Sequence, residues 1–161
     1  MRVFVLLATL LAALLLQSAL TQVAPAQARL FDPFLIVVVY CGLAFGESHG
    51  MLAGTLAGWI QDVFFGGTVA GLSGLSKILI GFGVGVAGGR LLVSGPAQRL
   101  LILFTATLVD ALLFERLASI FELNLAELSL TGLLGRATVN AIVGAGLFEL
   151  VERRVRHAVR Q

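Results

Sequence analysis

The chain has 161 residues, 58% of them hydrophobic and only 12% charged, with a net charge of +2 and a mean hydropathy of +1.01. Soluble domains of this size carry about a quarter charged residues, so this composition excludes a single water-facing core and places the chain in a bilayer. A lone cysteine, Cys41, also excludes a disulfide framework or thiolate metal cluster built from this chain alone.

Crossing the hydrocarbon takes about 20 apolar residues in a helix, and six stretches qualify, near 3–23, 30–46, 50–66, 69–91, 98–121 and 128–150. Their apolar residues run continuously instead of alternating, which predicts helices and not barrel strands. The expected fold is all-α: a polytopic membrane bundle of six transmembrane helices in one domain, 1–152, followed by a basic tail, 153–161.

The first stretch, Arg2 followed by VFVLLATLLAALLLQSAL and then APAQA, also reads as a secretory signal. Its apolar run is longer than an ordinary signal core of about 7 to 15 residues, which favours a span. The second and third stretches are short and glycine-rich. In GLAFGESHGMLAGTLAG a glycine recurs at every fourth position, Gly42, Gly46, Gly50, Gly54 and Gly58, with Glu47-Ser48-His49 expected as the connection. A partly re-entrant hairpin is the alternative for this pair. Fifteen of the 19 glycines lie between Gly42 and Gly95. Residues four apart share a helix face, and in lipid close approach through small residues is the main packing device.

Short loops rich in Lys and Arg stay in the cytoplasm. Arg2, Arg90, Arg99 and the tail residues Arg153, Arg154, Arg156 and Arg160 fall on one side of an even-spanning chain, so both termini are expected in the cytoplasm. The other side receives Arg29, Asp32, the Gly66-Gly67-Thr68 turn, Glu122 and Glu127. The tail would lie against anionic lipid, the alternative being a docking site for a cytoplasmic protein.

Ionisable residues inside spans are expensive in lipid and face the bundle interior by default. Asp62, Lys77, Asp110, Glu115, Arg116 and Arg136 form such a set, with three acids and three bases. An Asp62–Lys77 contact is expected across the Gly66-Gly67 turn, and Asp110 and Arg136 could meet across the last two spans. The set reads either as a neutral internal network with Asn140, with Glu115 and Arg116 snorkelling, or as an extracytoplasmic cavity for a polar small molecule.

No catalytic residue, metal site or cofactor is expected. GVGVAG, residues 83–88, matches a dinucleotide pattern, but it continues an apolar span and does not turn a strand into a helix. His49 and His157 lack ligands at metal spacing, and nothing points to nucleic acid.

The order of features resembles the MreD family of rod-shape-determining proteins: a glycine-spaced pair of spans, GWIQDVFFGG, a glycine-rich span ending at Arg90, then TVNAIVGAGLFELVERRVRHA. Gly54, Gly58, Asp62, Gly71 and Asn140 are the aligning positions; Asp110, Glu115 and Arg116 have no assigned place in that pattern. The resemblance implies a non-enzymatic component of the bacterial cytoplasmic (inner) membrane that works in cell elongation and peptidoglycan synthesis. It implies as partners an MreC-like protein, a RodA-like synthase with its penicillin-binding transpeptidase, and an MreB-like filament. Glycine faces carrying Gly42, Gly46, Gly54, Gly58, Gly67 and Gly71 are then expected to receive a partner's helix, the alternative being packing among the second, third and fourth spans of the chain itself. The alternative function is a small-molecule-binding subunit similar to the substrate-binding components of energy-coupling-factor transporters.

Overall fold

The computed structural model describes the backbone of residues 2–65, 71–90, 95–121 and 129–158, and the side chains of 4–65, 71–90, 95–121 and 129–151. Among them the elements are helices: α1 (Arg2–Val23), α2 (Pro25–Ala28), α3 (Pro33–Phe45), α4 (Glu47–Phe64), α5 (Leu72–Arg90), α6 (Pro96–Ile120) and α7 (Leu130–Ala158). Each of the three prolines opens a helix, Pro25 in α2, Pro33 in α3 and Pro96 in α6. At a first helical position the missing N–H has no intrahelical partner to lose, and the fixed φ suits the turn.

Four segments are long and apolar enough to cross a membrane: Phe4–Val23, Pro25–Phe45, Leu72–Arg90 and Leu130–Val151. The other two expected spans form helices too, with 18 residues in α4 and 25 in α6. Polar residues dilute their apolar character: Glu47, His49, Gln61 and Asp62 in α4, and Gln98, Arg99, Asp110, Glu115 and Arg116 in α6.

The join between α3 and α4 differs from expectation. Glu47-Ser48-His49 is not a loop but the first turn of α4, and Gly46 alone separates the helices. Gly46 has φ 87° and ψ −178°, a region that side chains avoid and glycine enters freely. Its N–H reaches back to the Gly42 carbonyl at 3.0 Å, and its carbonyl accepts from Gly50 N–H at 3.0 Å, so both helix ends stay bonded through the reversal.

Helix α3 lies at the centre. Its Leu35, Ile36 and Val39 pack with Ile80 and Val84 of α5, Leu103 and Ala106 of α6, and Ala141 and Phe148 of α7. Its Phe34, Val38 and Cys41 pack with Leu6, Leu10 and Ala13 of α1 and with Ala53 and Ala57 of α4. Outward positions remain apolar, among them Phe4, Leu15, Trp59, Leu101 and Ile142, as befits a surface bathed in hydrocarbon.

The glycine ladder is spent inside the chain. A Cβ on Gly50 would strike the backbone of Gly81; on Gly54, that of Lys77 and Ile78; on Gly58, that of Ser73 and Gly74; and on Gly85, that of Gly46 and Glu47. These pairs march antiparallel along α4 and α5, so the two backbones touch over the length of the contact. A Cβ on Gly42 would stand 3.0 Å from the Gly81 carbonyl oxygen, which brings α3 onto the same seam. The expectation that Gly42, Gly54 and Gly58 receive a partner's helix is therefore corrected: this chain's own α5 fills those faces. Gly46 and Gly71 (φ 98°) instead supply backbone conformations with positive φ, and Gly67 lies outside the described residues.

Candidate functional site

Polar residues that cannot face lipid turn inward, and four of them meet between α3, α5, α6 and α7. Lys77 Nζ lies 3.1 Å from Asp32 Oδ2 and 3.6 Å from Asp110 Oδ2. Arg136 Nη2 approaches the same two oxygens, at 3.0 Å and 3.7 Å. Two carboxylates thus alternate with two cations, and the formal charge of the node is zero.

Neutral groups finish the bonding. Ser76 Oγ donates to Asp110 Oδ1 at 2.5 Å. Asp32 Oδ1 accepts from the Leu35 N–H at 3.0 Å, the N-cap bond of α3. The Asp32 N–H donates to Asn140 Oδ1 at 2.9 Å. Asp32, Lys77, Asp110, Ser76 and Asn140 are buried, and only the Arg136 side chain, 24% exposed, reaches the surface.

The local sequence explains the convergence. The backbone of Lys77 is pressed against Gly54, so its side chain leaves α5 on the other side, toward α3 and α6. Asp32 is held beside it because Asp32-Pro33 is an N-cap followed by a first-turn proline. Arg136 and Asn140 are four apart on α7 and share a face.

Of the residues expected in an intramembrane network, the structure brings together Lys77, Asp110, Arg136 and Asn140. Asp62 does not join them. Its carboxylate accepts from the Gly71 N–H at 2.7 Å and the Ser73 N–H at 3.3 Å, capping the start of α5, whose free N–H groups attract a negative charge. The expected Asp62–Lys77 contact is replaced by these two separate arrangements. Asp32 and Ser76 were not anticipated as members. The Asp-Pro pair could have revealed Asp32 as a helix cap at membrane depth; Ser76 carries no comparable signal.

Glu115 and Arg116 lie on the exposed side of α6. The backbone of α7 continues through Arg153, Arg154 and Arg156, whose side chains, like the whole of Arg160, lie outside the described residues. An open groove of about 300 Å³ between α4 and α5, lined by Thr55, Trp59, Leu72, Leu75, Ile78 and Phe121, presents almost no polar group. Among the described residues no group of three His, Cys, Asp or Glu is placed to hold a metal.

The node can neutralise buried charge and fix how four helices sit against one another. Removing one member of such a set leaves an uncompensated charge in a medium that solvates it poorly. No curated protein and no solved structure matches the chain. The family model for the rod shape-determining protein MreD matches residues 1–148, a stretch that includes every residue of the node. The chain belongs to the MreD family, membrane proteins of rod-shape determination.

Proposed function

We propose that this protein is a non-enzymatic scaffold of the bacterial cell-elongation complex, crossing the cytoplasmic membrane six times with both termini in the cytoplasm. It docks an MreC-like membrane protein and, through it, works beside a RodA-like synthase with its penicillin-binding transpeptidase and an MreB-like filament. Family membership over residues 1–148 is the observation that carries this reading.

Supporting it, the four charges of the node are consumed by one another, and the outward surface is largely apolar. Such a molecule acts by holding neighbours in place. Helix α7, with 29 residues, extends about 43 Å at 1.5 Å per residue, longer than the roughly 30 Å hydrocarbon core. Its arginine-rich end then stands at the cytoplasmic face, where Lys and Arg accumulate. With the glycine seam closed, the partner meets outward side chains and not the α4–α5 contact.

Affinity purification from native membranes, with identification of co-purifying proteins, tests the reading. An MreC-like and a RodA-like protein should be recovered together; recovery of neither would overturn it. Single cysteines placed at positions 2 and 161 in a Cys41→Ser background should both be shielded from an impermeant thiol reagent in intact cells, and labelling of either would overturn the topology.

A further inference from the structure

Two side chains of α7 carry the observation, Arg136 and Asn140. The Asn140 amide is oriented by its partner: Oδ1 takes the Asp32 N–H at 2.9 Å, and the flipped amide would set one donor against another. Nδ2 is thereby fixed as a donor turned away from Asp32. It is buried with no acceptor among the described residues, on a residue that is 0% exposed. Arg136 repeats the pattern. Its Nη2 serves Asp32 and Asp110, while Nε is buried and has no acceptor among the described residues. Two buried donors thus sit one helical turn apart on the same face of α7, and buried donors in native proteins are almost always satisfied.

We propose that Arg136 Nε and Asn140 Nδ2 hold one uncharged oxygen acceptor, a water molecule or the ester carbonyl of a bilayer lipid, so that the node is a binding site as well as a lock. Charge decides the class. Asp32, Asp110, Lys77 and Arg136 already sum to zero, so an anion would add a charge with nothing to balance it in a poorly solvating interior. A cation would face two donors, with the carboxylate oxygens Oδ2 of Asp32 and Asp110 already shared by Lys77 and Arg136. A neutral oxygen offers two lone pairs to two donors, which is how buried water is ordinarily held. Access runs along Arg136, whose side chain is 24% exposed while those of Lys77, Asp32 and Asp110 are 3 to 4% exposed. The site rests on the geometry of the node and not on the scaffold reading.

The sequence supplies a clean reporter, because its only asparagines are Asn124 and Asn140. Full-length Asn124→Gln protein, labelled with ¹⁵N-asparagine and ¹⁵N-tyrosine and reconstituted in phosphatidylethanolamine–phosphatidylglycerol vesicles, leaves one side-chain amide signal and, from the chain's single tyrosine, the Tyr40 backbone amide as the α3 reference in solid-state NMR. Magnetisation should reach the side-chain amide from water protons, or from lipid glycerol protons, at least several-fold faster than it reaches the Tyr40 backbone amide of α3. Transfer from water identifies bound water, and transfer from glycerol protons identifies the lipid ester. Build-up from both sources no faster than at the Tyr40 amide would overturn the site. The unsubstituted chain gives the same reading from one of its two asparagine signals.

Discussion

Asp32 and Asn140 are 108 positions apart in the chain, yet the backbone N–H of one donates to the side-chain oxygen of the other at 2.9 Å. The bond joins the N-cap of α3 to the N-terminal half of α7, beside the ring formed by Lys77, Asp110 and Arg136. The α6–α7 pair is thus fastened to the α3–α5 seam by charge and hydrogen bonds as well as by apolar packing.

Lys77 should be the most sensitive position in that ring. Lys77→Met leaves two buried carboxylates facing Arg136 alone, and breaking a buried ion pair costs about 3–5 kcal/mol. The thermal midpoint in detergent should fall accordingly. Adding Asp110→Asn restores the charge balance and should recover much of the loss. A double variant as unstable as the sum of its parts would show that charge balance is not what the ring provides.

Asp62 should behave independently. Its partners are the Gly71 and Ser73 N–H groups, whereas Lys77 pairs with Asp32 and Asp110. Residues without shared partners act additively to within about 0.5 kcal/mol. Denaturation of Asp62→Asn, Lys77→Gln and the double variant should give a coupling energy no larger than that; a larger one would mean that the two side chains meet after all.

Gly58 and Gly74 lie across the same seam but should respond oppositely to alanine. A Cβ on Gly58 enters the backbone of Ser73 and Gly74, while a Cβ on Gly74 meets nothing within 4 Å. Overpacking costs about 1–3 kcal/mol, so Gly58→Ala should lower the melting temperature. Gly74→Ala should leave it unchanged or raise it, since alanine favours helix over glycine by about 1 kcal/mol. Equal losses at both positions would contradict the seam.

Gly46→Ala tests the α3–α4 reversal. At φ 87° and ψ −178° a side chain is strained whatever space surrounds it, at a cost of about 1–3 kcal/mol. Chemical denaturation should register that loss, and a variant as stable as the parent chain would mean that the reversal takes another form.

How much of this was legible in the sequence depends on the residue. Lys77, Asp110, Arg136 and Asn140 stand out because polar groups are costly in an apolar run, and cost is readable without coordinates. Which acid pairs with which base is not readable, because it depends on the direction in which each side chain leaves its helix. Asp62 and Lys77 look like partners across a short turn, but the close approach at Gly54 turns Lys77 the other way. Asp32 was hidden by its position, a loop residue by hydropathy and a helix cap by structure. The glycine spacing announced close packing; whether the packed surface lay within the chain or against another could be decided only by placing α5 on it.

The one-residue link at Gly46 also bears on how the protein enters the membrane. A single glycine gives the translocation machinery no tether with which to deliver α3 and wait for α4. On the proposed six-span topology the two would partition into lipid as one hairpin, with the Gly46 end trailing or leading for both, and an insertion there would uncouple them.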